Sequence, residues 1–257
     1  MTSKTIIVIT GANSGIGYEA VKALIGSEKP YHIYAGARSL DKLEAAIQSL
    51  GDTGKHTLSP FQIDLFSDES IKAAYTKVSS EVDHIDVLIN NAGAAVNTGP
   101  TRESLLQDYN VNVAGTYVVT DVFLPLLIKS SEPRLLFLTS GLSSLEEATQ
   151  TTSPRYITPP AGWPKPAGVS FIGYRASKVA LNMVMVDFTR LLAKDNVKVW
   201  CISPGMLATN LGGNPEFLKK LGAGDPALGG IFIKDVVEGA RDQDVGKVIR
   251  RDEVQLW

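Results

Sequence analysis

A tyrosine and a lysine stand four residues apart in a stretch with a helical pattern. Tyr174 and Lys178 occupy positions i and i+4 of a helix predicted over residues 171–195, so both side chains lie on one helix face. A free tyrosine has a pKa of about 10, and a neighbouring cation favours the phenolate. The pair could therefore exchange a proton with a substrate. The same spacing also occurs in ordinary amphipathic helices, so the pair alone does not identify an enzyme.

A glycine-rich turn follows the first apolar run of the chain. Residues 10–17 read TGANSGIG, after the apolar residues 6–9 and before a helix predicted to begin near Ile16. Gly11, Gly15 and Gly17 would let the main chain turn sharply and let a diphosphate approach it, while the helix N-terminus offers free N–H groups. The spacing differs from the commoner G-x-G-x-x-G. It indicates phosphate binding, with close helix–strand packing as the alternative.

Strand and helix patterns alternate along the whole chain. Predicted helices cover residues 40–50, 69–82, 102–128, 171–195 and 231–241, besides the helix after the glycine turn. This alternation predicts an α/β fold: a single doubly wound Rossmann domain over residues 1–257, with a mainly parallel seven-stranded sheet flanked by helices. The predicted strands are residues 6–9, 31–36, 56–65, 86–90, 135–139, 197–203 and 247–250.

Two segments interrupt the alternation. Residues 145–169 contain five prolines, a density that excludes a helix or central strand and predicts a surface excursion. Residues 206–230 contain six glycines around Phe217, Leu218 and Leu221, which predicts a mobile substrate loop carrying a short helix.

The motifs taken together resemble the short-chain dehydrogenase/reductase family over nearly the whole chain. TGANSGIG is followed by NNAG at residues 90–93, and Asn112, Ser140, Tyr174 and Lys178 stand in the matching contexts. The resemblance implies that these four catalytic residues share one active site. Tyr174 would be the general acid/base and Ser140 would hold the carbonyl oxygen. Lys178 would anchor the nicotinamide ribose, and Asn112 would hold a water that connects Lys178 to solvent.

The resemblance also implies a nicotinamide cofactor, and Arg38 indicates which one. Arg38 follows the second predicted strand, at the position that meets the adenosine ribose, where a guanidinium pairs with a 2′-phosphate and an acidic residue would repel it. We therefore expect NADPH/NADP+, with a solvated arginine or dual cofactor use as alternatives. The other implied cofactor-binding residues are Gly11, Asn13, Ser14, Gly15, Ile16, Gly17, Asp64, Leu65, Asn90, Asn91, Ala92, Gly93, Tyr174, Lys178, Pro204, Gly205, Leu207 and Thr209.

Two of these positions have a second interpretation as caps. Asp64 could cap the helix that follows it, and Thr209 could cap the short helix of the substrate loop.

Composition disfavours several classes of partner. The formal net charge is -2, so no basic field favours nucleic acid or an anionic membrane surface. Cys201 is the only cysteine, and His32, His56 and His84 lack metal-ligand spacing, so we expect neither a disulfide nor a metal site. Without a signal-peptide pattern or a long apolar run, the chain is expected to be cytoplasmic.

The distance between the serine and the tyrosine is longer than is usual in the family. The difference, 174 − 140 = 34, indicates an insertion at residues 145–169, which resembles that of monomeric carbonyl reductases. We therefore favour a monomer, with a homodimer as the alternative, and expect Trp163 to wall the substrate mouth.

The expected activity is NADPH-dependent reduction of a hydrophobic ketone or aldehyde, or the reverse oxidation. A catalytically silent cofactor-binding regulator and a non-redox use of the same pocket are the alternatives.

Overall fold

Seven parallel strands form one sheet, in the order β3-β2-β1-β4-β5-β6-β7. The computed structural model describes residues 4–96, 99–153, 156, 158–166 and 171–257. The sheet confirms the predicted doubly wound fold, since the strand order runs outward in both directions from β1 and β4. The strands are β1 (Thr5–Thr10), β2 (Tyr31–Ala37), β3 (Thr57–Gln62), β4 (Val87–Asn90), β5 (Arg134–Leu138), β6 (Lys198–Ile202) and β7 (Val248–Ile249).

Helices cover both faces of the sheet and divide the core into two clusters. The cluster on one face joins strand residues such as Val8 and Phe137 to α3, α5 and α7, and the cluster on the other face joins Ile9 and Trp200 to α1, α2 and α9. The described helices are α1 (Gly15–Ile25), α2 (Leu40–Ser49), α3 (Asp68–Ser79), α4 (Arg102–Tyr109), α5 (Thr116–Leu127), α6 (Leu145–Thr149), α7 (Ile172–Leu191), α8 (Pro215–Lys220) and α9 (Ala227–Val237).

The predicted helix over residues 102–128 is continuous but not uniform. Residues Asn110–Gly115 form a π-helical segment between α4 and α5. By length and by a mean hydropathy of 1.2, the stretch Arg102–Leu127 would suffice to cross a membrane, a property it shares with buried core helices. More than half of its apolar window is buried inside the fold, as expected of a core helix.

The predicted proline-rich excursion begins later than the sequence suggested. Residues Leu145–Thr149 form α6, because Ser144 accepts a hydrogen bond from Glu147 N at 3.0 Å and so caps a helix that ends before the first proline. Residues 154–155, 157 and 167–170 of the predicted insertion lie outside the described residues. The insertion itself stays a prediction.

The predicted substrate loop is shorter than expected at its end. It carries α8, as predicted, but Gly229 and Gly230 belong to α9 rather than to the loop. These glycines lie where α9 crosses α1, and a Cβ on Gly230 would stand 2.3 Å from Glu19 O. The prediction was wrong there because a close helix crossing and a flexible loop both select glycine.

A buried arginine ties β5 to the last part of the sheet. Arg134 donates to both carboxylate oxygens of Asp242, at 2.5 and 2.9 Å, and to Val236 O at 3.2 Å. Lys198 donates to the same carboxylate at 2.6 Å. The hydrogen bonds from Arg134, with those from Lys198, outweigh the effect of burial and lower the pKa of Asp242 from 3.8 to about 2.

We predict that Asp242→Asn destabilises the fold in a pH-dependent way. Because the native pKa is depressed, the charged carboxylate contributes stability above its ordinary pKa, and this contribution is lost as the pH falls through about 2. Near neutral pH the free energy of unfolding should fall by about 1–2 kcal/mol, allowing for a side chain that is 34% exposed.

Urea denaturation at several pH values measures the effect, with Asp83→Asn as the exposed control. The difference from wild type should shrink between about pH 4 and pH 2. A difference that stays constant across this range would contradict the assignment.

Candidate active site

The residues predicted to be catalytic meet at the carboxyl edge of the sheet. Ser140 follows β5, Tyr174 and Lys178 lie in the first turns of α7, and Asn112 lies in the π-helical segment. The strand order changes direction between β1 and β4. Open α/β sheets bind ligands at the carboxyl edge beside such a point.

Lys178 is buried, with 3% of its surface exposed, and is held by the end of β5. Its Nζ donates to Leu138 O at 2.7 Å and lies 5.7 Å from the centre of the Tyr174 ring. Gly93 closes over it, since a Cβ there would stand 3.4 Å from Nζ. Burial lowers the pKa of Lys178 to about 8, while Cys201 and Asp108 act in the opposite direction.

The surroundings of Tyr174 raise the pKa of its phenol above its ordinary value. Burial has the largest effect, hydrogen bonding to the Ser140 hydroxyl acts in the opposite direction, and the negative charge of Asp108 raises the pKa further. The sequence alone predicts that neighbouring cations favour the phenolate. In the absence of a cofactor the desolvation of the phenol outweighs any such effect and favours the protonated form.

Ser140 starts a tight turn that presents its hydroxyl beside Tyr174. Its backbone is extended, and its Oγ accepts a hydrogen bond from Leu142 N at 3.2 Å. Its carbonyl oxygen accepts from Ser143 Oγ at 2.6 Å. Hydrogen bonds within the turn therefore fix the orientation of Ser140. Neither of them uses its hydroxyl proton, which can be donated to another acceptor.

Asn112 braces the site through its side chain. Its Oδ1 accepts from Ala94 N at 2.8 Å, and its Nδ2 donates to Ala94 O at 2.8 Å and to Ser177 Oγ at 2.9 Å. Ser177 in turn donates to Tyr174 O at 2.8 Å. The amide thus links the segment that follows β4, the π-helical segment and α7. Both of its donors are used within the protein, so its role as a water holder stays a prediction.

Asp108 is a charged neighbour that the sequence analysis missed. It is 1% exposed, and its Oδ1 accepts from Val96 N at 2.9 Å. Its Oδ2 faces α7, where a Cβ on Gly173 would stand only 2.8 Å away. Burial raises the pKa of Asp108, against the Val96 hydrogen bond and the charge of Lys178. Its place one helical turn before Asn112 was the available signal.

The glycine turn is shaped and braced by the start of the NNAG segment. Gly11 and Gly15 have positive φ angles of 69° and 55°. Asn91 Nδ2 donates to Thr10 O at 2.9 Å and to Gly11 O at 3.1 Å, and a Cβ on Gly17 would stand 2.4 Å from that amide. Asn91 therefore serves first to hold the turn closed.

Thr10 is a second residue that the sequence analysis missed at this turn. Its hydroxyl accepts from Asn91 N at 3.1 Å and from Ala92 N at 3.0 Å. The signal was its place at the end of the buried strand β1, directly before Gly11.

The geometry of these segments fits a dinucleotide. Ser14 makes no side-chain cap at the N-terminus of α1, and no acidic residue lies in the first turn, so N–H groups are available for a phosphate. Among the described residues, the buried Ser203 Oγ after β6 and Asn90 Oδ1 at the end of β4 have no hydrogen-bond partner. Buried polar atoms normally have a hydrogen-bond partner, so two unpaired ones along this edge fit the binding of a polar ligand.

The turn after β6 approaches the glycine turn from the other side. Pro204 and Gly205 lead to Leu207, which is buried, and Thr209 lies 3.6 Å from the position of a Cβ on Gly15. Thr209 makes no side-chain cap, so the cap interpretation does not hold and its hydroxyl is available.

The predicted adenosine contacts lie at the ends of β2 and β3. Arg38 is exposed, and no carboxylate pairs with its side chain within the described part of the chain. Asp64 Oδ1 accepts from Phe66 N at 3.1 Å, whereas the cap of α3 is Ser67. Leu65 is buried. Ala12 N donates to Gly36 O at 2.9 Å, which connects the glycine turn to this end of β2.

The described residues form no cluster of three or more His, Cys, Asp or Glu side chains that could hold a metal ion. The polar groups at this edge suit proton transfer and anion binding instead.

Comparisons with known proteins agree with this geometry. The sequence profile of the family described as short chain dehydrogenase matches residues 5–152. The short-chain dehydrogenase/reductase tropE of Talaromyces stipitatus is 42% identical over 262 residues, covering 99% of this chain and 98% of that protein.

Two solved structures share the fold. NADPH-bound carbonyl reductase from chicken fatty liver superposes with a TM-score of 0.81 at 21% identity, over 99% of this chain and 100% of that one. The 3-oxoacyl-[acyl-carrier protein] reductase from Brucella melitensis in complex with NAD superposes with a TM-score of 0.78 at 20% identity, over 97% and 96%. The sequence matches and the site geometry lead to one conclusion: this chain belongs to the short-chain dehydrogenase/reductase family.

Proposed function

We propose that the protein reduces a ketone or aldehyde to an alcohol with NADPH, or catalyses the reverse oxidation. One observation carries the proposal: the Tyr174 ring lies over the buried Lys178, beside Ser140, at the edge of the sheet that suits a dinucleotide. Tyrosine is a weak acid in water. A site that uses it as a proton donor must keep the phenol protonated and hold the neighbouring groups in place.

The proposed mechanism is a hydride transfer coupled to a proton transfer. A bound NADPH would supply a hydride to the carbonyl carbon, so that the carbonyl oxygen would take up the negative charge. The hydroxyls of Ser140 and Tyr174 hold that oxygen by hydrogen bonds, and Tyr174 gives it a proton as negative charge develops. Lys178, whose pKa burial lowers to about 8, can then return a proton to the phenolate and recover one from solvent.

The nearby loop supports an apolar substrate. Met206, Leu211, Phe217 and Leu221 are 48%, 38%, 59% and 58% exposed, so none of them is a core residue. Core packing was the alternative for these side chains. Because large apolar side chains exposed together often mark a ligand surface, we propose that the loop contacts a hydrophobic carbonyl compound.

We predict that Tyr174→Phe abolishes reduction while leaving cofactor binding intact. The substitution removes the proton donor but keeps the ring, so turnover should fall at least about 100-fold and the Kd for NADPH should stay within about twofold. The assay is NADPH oxidation over a panel of quinones, diketones, aromatic ketones and steroids.

Tyr109→Phe is the matched control, because Tyr109 is exposed on α4. Turnover by Tyr174→Phe at the rate of wild type would refute the proposed mechanism. Products formed without NADPH would instead indicate a non-redox use of the pocket.

The choice of NADPH over NADH rests on Arg38. Its side chain is exposed and has no acidic partner among the described residues, so it is available to a 2′-phosphate. Its neighbour Ser39 caps α2 by accepting from Lys42 N at 3.5 Å. Ser39 Oγ is therefore engaged as a cap, and Arg38 is the residue on which the proposed preference for NADPH rests.

We predict that Arg38→Gln weakens NADPH binding about 10- to 100-fold and leaves NADH binding unchanged. Nucleotide fluorescence titrations measure both affinities. Lys194→Gln, at an exposed lysine beyond the C-terminal end of α7, controls for net charge. Equal losses for both cofactors would exclude a contact between Arg38 and the 2′-phosphate.

The assembly and location of the protein stay proposals. We propose a cytoplasmic monomer without nucleic-acid or membrane partners, on the grounds of charge and the predicted insertion. The outer face of α4 exposes Leu105, Leu106 and Tyr109, which keeps a homodimer as the alternative.

A further inference from the structure

A buried amide lies beneath Ser140 and comes from the far end of the sequence. Gln255 is 3% exposed, and its Nε2 donates to Ser140 O at 3.2 Å and to Ser143 Oγ at 3.1 Å. Both Nε2 protons are therefore directed at the turn that carries the proposed oxygen-binding hydroxyl. Residues 250–257, which we call the strap, hold this amide in place.

Ser143 is the centre of a buried polar network. Its hydroxyl donates to Ser140 O at 2.6 Å and accepts from Gln255 Nε2 and, at 3.0 Å, from Asn182 Nδ2. The Thr139 hydroxyl lies 3.2 Å from Ser143 Oγ, but its shorter hydrogen bond, at 2.7 Å, goes to Asn182 Oδ1. A hydroxyl has one proton and two lone pairs, and Ser143 uses all three.

The network touches both catalytic elements. Asn182 lies one turn after Lys178 on the same face of α7, and Thr139 directly precedes Ser140. The end of β5 also provides Leu138 O for the Lys178 ammonium. A change at Gln255 therefore acts on the backbone that sets the distance between the serine and the tyrosine–lysine pair.

The strap is fixed on both sides of Gln255. Gln255 N donates to Val248 O at 2.8 Å, and its Oε1 accepts from Arg250 Nε at 3.2 Å. Arg250 also pairs with Glu147 of α6 at 2.5 Å. Trp257 O accepts from Glu146 N at 2.6 Å and from Ser144 Oγ at 3.0 Å. The strap thus joins β7 to the segment that follows Ser140.

We propose that Gln255 is a positioning residue for Ser140 in the proposed carbonyl reduction. Its amide saturates the carbonyl of Ser140 and the hydroxyl of Ser143, and so holds the turn in the one conformation that aims Ser140 Oγ at the substrate oxygen. This inference rests on the proposed function. It assigns Gln255 no contact with substrate.

The primary test is a double-mutant cycle between Gln255→Met and Ser140→Ala. Methionine keeps the length of the side chain without its hydrogen bonds, so kcat should fall about 10-fold at an unchanged Kd for NADPH. Added to Ser140→Ala, the same change should cost less than about twofold, because the group it positions is gone. Equal losses in both backgrounds, or no loss in either, would overturn the proposal.

Gln255→Glu provides a second variant of the same size. Its carboxyl can donate a hydrogen bond to the turn only when protonated, so its kcat relative to wild type at the same pH should rise as the pH falls. A ratio that is independent of pH would contradict the role of the donor. Asp252→Asn, exposed in the same strap, is the matched control and should match wild type at every pH.

Hydrogen exchange separates this inference from the proposed function. In Gln255→Met the amides of Leu142 and Glu146 should exchange faster, while those of residues 10–17 should be unchanged. If wild type reduces no carbonyl compound, the proposed function fails, and unchanged exchange at these two amides would then refute the positioning role independently. If reduction occurs and exchange is unchanged, only the positioning role fails.

Discussion

The burial of the Lys178 ammonium is the constraint on which the site depends. A lysine cation away from water is costly unless polar groups surround it, and here it has the carbonyl of Leu138 and a charged neighbour in Asp108. Gly93 packs against the same groups, since a Cβ there would stand 3.1 Å from Asn112 Oδ1 and 3.4 Å from Lys178 Nζ. In the proposed mechanism, a pKa lowered to about 8 would let Lys178 exchange a proton near neutral pH more readily than a solvated lysine does.

The surrounding elements are arranged to keep that cation and Tyr174 in register. Asn112 connects the segment after β4 to α7 through Ala94 and Ser177, and the π-helical turn around it interrupts the regular helix at this site. Such π turns often mark functional positions. On the other side, Asn91 and Thr10 hold the glycine turn against the same strand edge. The cofactor edge and the proton-transfer groups therefore share one backbone framework.

Local patterns in the sequence were sufficient for the sheet, the glycine turn and the Tyr174–Lys178 pair. Each depends on spacing within a strand or a helix turn. The burial of Asp108, the network around Ser143 and the docking of Gln255 depend on segments far apart in sequence, so no local pattern reveals them. The same limit explains Gly230, since glycine at a helix crossing and glycine in a loop look alike in sequence. α6 was missed because prolines further along dominated the interpretation of its segment.

Buried charge at Asp108 tunes the proposed proton-transfer pair, because the negative charge of Asp108 raises the pKa of both Tyr174 and Lys178. Asparagine at this position keeps the acceptor for Val96 N and removes that charge. Ser140 and Cys201, the other groups that face the pair, are unchanged. The decisive experiment is the pH dependence of single-turnover hydride transfer from NADPH in wild type and Asp108→Asn. We expect an apparent pKa shifted to lower pH in the variant, and an unchanged or higher value would refute this role of Asp108.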